Sequence, residues 1–279
     1  MGDPDLYRNR DFIPDFDAIM AETEARSRAF ADRARVERSV SYGDTPRQSF
    51  DLVFPPDPAP GAPLHMFIHG GYWRAGSKEA HTLVAAPVVA AGGIAAIVGY
   101  DLMPGTRLSG IVAQVRRAAR HLVALAPEIG ASPERFTVSG HSAGAHLATL
   151  LAAEAPGDAG PPDVPALRGL LLVSGIYDLS GIPGSFLKDE AGMRVDEAAA
   201  WSPLLARHRH GPLRIITRGE NETAPFHEQA VALGALLDRE GQDAVVETVP
   251  AANHLTVVFE LADPEAPLGR KLGELVRSS

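Results

Sequence analysis

Residues Arg135–Ala155 read RFTVSGHSAGAHLATLLAAEA. RFTVS is a short apolar and β-branched run of the kind that forms a strand. AGAHLATLLAAEA is rich in alanine and leucine, the composition of a helix. Between them stands Gly140-His141-Ser142-Ala143-Gly144. As a bare string G-x-S-x-G is weak evidence, because composition alone produces it by chance. Its strand–turn–helix setting gives it meaning: a sharp turn at that point lifts a serine hydroxyl above the edge of a sheet. Side chains at the two glycine positions would collide with the neighbouring strand and helix. The helix N-terminus would bring partial positive charge to the place where an oxyanion forms. A glycine-flanked turn serine without chemistry is the competing reading.

The same alternation continues outward in both directions. Candidate strands are Ser39–Tyr42, Ser49–Phe54, Leu64–Ile68, Ile94–Gly99, Arg135–Ser139, Gly169–Ser174, Leu213–Thr217 and Ala244–Val249. Candidate helices are Ser77–Ala91, Leu108–Ala126, Ser142–Ala155, Pro225–Glu240 and Leu268–Arg277. Continuous apolar runs such as GLLLVS and GIAAIVG suit strands covered on both faces. The first two strands have no helix between them and read as a hairpin. The expected fold is α/β: a mostly parallel twisted sheet of about eight strands with helices on both faces and a small cap. Residues 1–279 form a single expected domain, because the proline-rich stretches at 55–63 and 155–166 read as loops. Residues 1–38 form an N-terminal helical segment: Asp17–Arg38, beside Phe16, carries Ile19, Met20 and Phe30 among many charges. A packing helix at the domain edge is the favoured reading of it, and part of a lid over a binding site is the sharper one. The irregular stretch 179–201 is long enough for a small cap.

Composition narrows the function. The chain has 279 residues, 26 Lys+Arg against 35 Asp+Glu, a net charge of −9, and is 45% hydrophobic and 22% charged. That is an ordinary globular composition. Its acidic balance argues against nucleic acid, which calls for a basic face. No apolar run approaches the ~18 residues of a membrane span. The opening MGDPDLYRNRDF lacks the pattern of a signal peptide, and Leu6 stands where a myristoylation signal after Gly2 needs Ser or Thr. With no cysteine at all, disulfides, thiolate metal sites and a cysteine nucleophile are excluded, and a cytoplasmic location is the expectation.

A serine nucleophile needs an oxyanion hole, a base and an acid. His69-Gly70-Gly71-Tyr72-Trp73 follows the strand LHMFI, where a loop supplies backbone N–H groups to developing negative charge. The expected donors are Gly71, Tyr72 and Ala143. His69 is expected to brace that loop, and Tyr72 and Trp73 to form an aromatic wall for substrate, packing being the alternative. The order Ser, acid, His is expected along the chain. His254, in the loop after AVVETVP, is the candidate base; His227 reads as a surface residue, and His208 and His210 as solvated. For the acid, Glu222 ranks first, then Asp178 after GLLLVS, then Glu220, which could instead pair with Arg218. No metal site is expected, since no H-E-x-x-H or comparable ligand spacing occurs; His141 and His146 read as hydrogen-bonding partners of nearby loops. No cofactor is expected, because the nucleotide-binding glycine patterns are absent.

Taken together, YRNRDFIPDF near the start, HGGYW at 69–73, GHSAGAHL at 140–147, SGIYDL at 174–179, GENETAPFHEQA at 219–230 and Asn253-His254 resemble the α/β-hydrolase superfamily across nearly the full chain. Within it, the sequence is similar to the kynurenine formamidase (arylformamidase) branch, close to the hormone-sensitive-lipase-like esterases. HGG-x-W in place of HGGG carries that assignment through Trp73. The resemblance implies that the acid lies three residues after the glycine of the G-x-x-acid loop, which falls on Glu222. Members usually have Asp there, and this chain departs with Glu. It further implies hydrolysis of N-formyl-kynurenine to kynurenine and formate, or of related aryl esters, amides or carbamates. The expected partner is a small aryl amide or ester; a homodimer is allowed. A non-catalytic binding protein on the same scaffold is the rival from another class, and it conflicts with retention of the serine, the histidine and the oxyanion glycines.

Overall fold

The computed structural model describes residues 4–279; Met1–Asp3, and with them Gly2, lie outside the described residues. Helix α1 (Phe16–Ala31) leads into β1 (Arg35–Ser41), which pairs as a hairpin with β2 (Ser49–Phe54). There follow β3 (Ala62–Ile68), α2 (Ala85–Ala90), β4 (Ile94–Val98), α3 (Leu108–Leu125), β5 (Ala131–His141), α4 (Ala143–Thr149) and β6 (Ala153–Glu154). Next come β7 (Gly169–Val173), α5 (Leu187–Glu190), α6 (Val195–Trp201), β8 (Arg207–His208), β9 (Leu213–Gly219), α7 (Ala224–Arg239), β10 (Ala244–Val249), α8 (Val257–Ala262) and α9 (Pro267–Arg277).

The main sheet has eight strands in the order β1-β2-β4-β3-β5-β7-β9-β10. Strand β2 is antiparallel to β1 and β4, and the remaining pairs are parallel. The apolar runs make this possible because a strand sends alternate side chains to opposite faces. In β7, Leu170 and Leu172 enter the core that holds α3, α4 and α7, while Leu171 and Val173 enter the one that holds α2, α8 and α9. In β4, Ile94, Ala96 and Val98 face the first core and Ala95 and Ile97 the second.

Several expected boundaries shift. The helix expected over Ser142–Ala155 stops at Thr149. Distant groups take the next carbonyls: Arg116 donates to Leu150 and Ala153, and the Arg209 N–H to Ala152. Chain then available at Ala153–Glu154 pairs with Arg207–His208. The helix expected over Ser77–Ala91 divides into a 3₁₀ segment, Glu79–Val84, and α2. Pro87 has no N–H to continue the ladder. At the start, α1 ends at Ala31 and the chain to Arg38 has already joined β1.

Polar side chains sealed in this interior carry a pH dependence. His65 bridges Thr137 Oγ1 at 2.8 Å and Ser139 Oγ at 2.7 Å. Burial pushes His65 and His69 down to about 3 and His146 down to about 4. An unfolded histidine titrates near 6.5, so below that value the unfolded chain binds protons that the folded one refuses. Stability is therefore complete above about 6.5 and falls towards the folded values, at up to about 1.4 kcal/mol per pH unit for each ring. Denaturant titrations should show a loss of several kcal/mol between pH 7.5 and 5, with uptake of about three protons or more on unfolding at pH 5. A stability flat across that range would contradict the burial of these rings as neutral groups.

Candidate active site

The loop between β5 and α4 carries Ser142 at φ 56°, ψ −121°, a left-handed backbone that a non-glycine residue adopts only under constraint. The constraint is visible in its surroundings. The Ser142 N–H donates to Val173 O at 2.8 Å. A methyl group at Gly140 would lie 2.3 Å from Gly144 O, and one at Gly144 would lie 1.9 Å from Ile68 O. Both glycines thus let β3, β5 and α4 approach closely enough to hold the turn. Gly144→Ala forces α4 off β3, and a drop in Tm of about 6 °C or more, or loss of soluble protein, is the expected result. A thermal melt within 2 °C of the parent would overturn that steric account.

From the loop after β10, His254 reaches back across the sheet. Its Nε2 lies 3.0 Å from Ser142 Oγ and its Nδ1 2.9 Å from Glu222 Oε2. Phe226 packs on the imidazole with ring centroids 4.3 Å apart, and His141 Nε2 donates to the His254 carbonyl at 2.8 Å. Glu222 stands in the loop after β9. Its Oε1 accepts from the Gly219 N–H at 2.6 Å and from Ser174 Oγ at 2.5 Å. Burial opposes its charge, but the adjoining His254 and the hydrogen bonds from His254, Ser174 and Gly219 outweigh it and hold the carboxyl below its ordinary value.

The other candidate acids are engaged elsewhere. Asp178 accepts from the Ser180 N–H at 2.8 Å, and Glu220 accepts from the Ala251 N–H at 2.8 Å. Glu220 does not pair with Arg218, whose Nε donates to His227 Nδ1 at 3.0 Å. His208 is a correction: expected to be solvated, it is buried and donates from Nε2 to Pro203 O at 3.0 Å. His69 braces its loop through Nδ1, 2.7 Å from Gly70 O, and stacks on Tyr100.

The loop after β3 turns through three consecutive left-handed residues, Gly71, Tyr72 and Trp73, at φ 111°, 50° and 59°. The backbone N–H groups of Gly71, Tyr72 and Ala143 have no hydrogen-bond partner among the described residues. Gly70 brings this loop against the nucleophile turn: a methyl group there would lie 2.9 Å from Ser142 Cβ. With only seven residues in α4, free N–H donors rather than a long helix dipole are what this corner offers an anion.

Gly70, Gly71, His141, Ser142 and His254 line a cavity of about 340 Å³. Tyr72 lines it, and its hydroxyl donates to Tyr7 O at 2.5 Å. Trp73 corrects an expectation: it is fully buried, absent from the cavity wall, and donates from Nε1 to His146 Nδ1 at 3.1 Å. The left-handed turn that aims Tyr72 at the cavity sends its neighbour into the core. His146 passes the bond on, from Nε2 to Trp201 O at 2.9 Å. Phe16, Met20 and Thr23 of α1, with Arg8 and Asn9 before it, form another wall of the cavity. Phe186 and Glu190 from the 179–201 stretch also line the cavity.

Sequence reasoning missed Ser174 and Phe226 as supports of Glu222 and His254. Ser174, at φ 53° directly after β7, offered a weak signal in the dipeptide Ser174-Gly175. Among the described residues, no group of three or more His, Asp or Glu is placed to hold a metal ion, and no helix is long and apolar enough to cross a membrane.

Comparison with known proteins agrees with this architecture. The kynurenine formamidases of Danio rerio and Salmo salar are 28% and 29% identical to the chain, each over 86% of it and 82% of the relative. A protein of Silicibacter sp. TM1040, described provisionally as a thioesterase, superposes with a TM-score of 0.82 at 27% identity over 98% of both chains. Esterase B of Lactobacillus rhamnosis shares the fold, with a TM-score of 0.73 at 24% identity over 94% of this chain and 93% of that one. Residues 65–209, just over half of the chain, match the family described as alpha/beta hydrolase fold; the chain belongs to that family, and it is a hydrolase.

Proposed function

We propose that this hydrolase is a serine enzyme that cleaves a small aryl formamide, with N-formyl-kynurenine as the leading substrate and related aryl esters as weaker ones. The observation that carries the proposal is the hydrogen-bonded series Ser142–His254–Glu222, whose first two members line an aromatic-walled cavity. Ser142 Oγ attacks the formyl carbon while His254 Nε2 takes its proton, and the oxygen anion is held by the N–H groups of Gly71, Tyr72 and Ala143. Collapse breaks the C–N bond, and the same proton passes from His254 to the departing amine. Water then attacks the formyl-serine with His254 again as base, releasing formate and restoring Ser142. Glu222 stays ionised, fixes the tautomer of His254 and stabilises its charged form. In this reading the chain is one catalytic unit, with 179–201 as a small cap and the N-terminal segment as part of the wall.

The similarity to kynurenine formamidases supports the formamide reading, and the cavity supports a flat ring beside a small acyl group. Steady-state kcat/KM for N-formyl-kynurenine against p-nitrophenyl acetate, butyrate and octanoate tests it. The formamide and acetate should exceed octanoate, with each added methylene costing about 10-fold or more once the acyl pocket is full. Octanoate turning over faster than both would place the protein among lipase-like esterases instead.

A further inference from the structure

Beside the nucleophile sits a hydrogen-bond acceptor that ester hydrolysis leaves unused. His141, adjacent to Ser142, is 4% exposed and lines the cavity. Its Nε2 is 2.8 Å from the His254 carbonyl, and a carbonyl only accepts, so Nε2 carries the ring proton. Burial, with the neighbouring His254 as the next cause, holds the His141 ring well below the ordinary histidine range, so it is neutral and Nδ1 is a bare lone pair. Among the described residues Nδ1 has no hydrogen-bond partner, and it is not sealed off from the cavity. A single point beside Gly70 Cα lies 2.9 Å from Ser142 Cβ and 3.2 Å from His141 Nδ1, and the His141 and His254 rings are 5.0 Å apart between centroids. Lone pair, nucleophile and proton carrier therefore share one corner of the cavity.

We infer that His141 Nδ1 accepts the N–H of the scissile amide and so makes the site selective for secondary amides over the corresponding esters. The inference rests on the proposed Ser142–His254–Glu222 chemistry. Once Ser142 has added, the amide nitrogen becomes pyramidal, and its lone pair must face His254 Nε2 to receive the proton. That orientation turns its N–H to another side, where a largely apolar cavity must provide an acceptor. An ester oxygen has no hydrogen to offer and presents lone pairs to the lone pair of Nδ1. His141 is thereby a specificity-determining residue, in addition to holding the backbone of His254.

The test compares formanilide with phenyl formate, which share acyl group and ring and differ only in N–H against O. His141→Leu removes the acceptor, and kcat/KM for the anilide should fall about 10–100-fold more than for the ester. Loss of the bond to the His254 carbonyl affects a step common to both substrates, so it cancels in their ratio. His141→Gln offers both an oxygen acceptor and an N–H donor and should keep the ratio within about threefold of the parent. His141→Met takes the place of the leucine variant if the latter does not fold. Parallel losses on both substrates, with the ratio unchanged, would overturn the inference and leave His141 as a brace for His254. Failure of the formamidase reading looks different: the unmodified enzyme would cleave phenyl formate and not formanilide, and the inference would fall with it.

Discussion

Ser142→Ala is expected to lower kcat for any cleaved substrate by about 10⁶-fold, the scale seen when a hydrolase of this kind loses its nucleophile. Among the described residues no other hydroxyl is hydrogen-bonded to His254, whose Nε2 faces Ser142 Oγ and whose Nδ1 faces Glu222. The fold should not register the change. Among the described residues Ser142 Oγ bonds only to His254, whereas the turn is held by the Ser142 N–H on Val173 O and by the glycines at 140 and 144. Alanine keeps the same Cβ and bears the same cost at φ 56°, so Tm should stay within about 2 °C of the parent. Reaction with a fluorophosphonate probe should disappear together with turnover. Activity surviving within tenfold would remove Ser142 from the nucleophile's role.

Glu222→Gln is the second large effect, with an expected loss of about 10⁴-fold in kcat. The amide can place its oxygen on only one side. The Gly219 N–H and the Ser174 hydroxyl both donate to Glu222 Oε1, so the glutamine oxygen is drawn to them and its NH₂ faces His254 Nδ1. An NH₂ there requires Nδ1 to be unprotonated, which moves the ring proton to Nε2 and leaves no lone pair to receive the proton of Ser142. Asp178→Asn and Glu220→Gln should each stay within about tenfold of the parent, because their carboxylates cap backbone N–H groups away from His254. If Asp178→Asn is the most damaging of the three, the acid lies at the end of β7 and not of β9.

Much of this arrangement is legible in the sequence. Strands β2 and β10 begin and end where their sequence patterns place them, and the apolar strands between them alternate between two cores as doubly covered strands must. Gly140 and Gly144 were expected where a side chain would collide, and the clearances of 2.3 and 1.9 Å state the collision. The misreadings share one origin. Trp73 reads as a cavity wall because it stands next to the expected oxyanion hole, yet the backbone at 72–73 turns one ring outward and the next inward. The stretch after Thr149 has helical composition and lost its helix to Arg116 and Arg209. His208, beside Arg209, reads as solvated but is buried where a two-residue strand pairs across the fold.

The alternation of strands and helices, the turn that presents Ser142 and the residue types available for chemistry are written along the chain. Those are local properties, set by side-chain period and by which residues tolerate a left-handed backbone. The packed fold sets which carboxylate meets His254 across 32 positions of chain and which imidazole meets Ser142 across 112. It alone brought Arg8 to Thr23 round to wall the cavity and fixed the tautomer of His141 through a carbonyl 113 positions away. Such contacts depend on where the β9 and β10 loops come to rest above the sheet, and that position follows from the packing of the whole core rather than from any segment read alone.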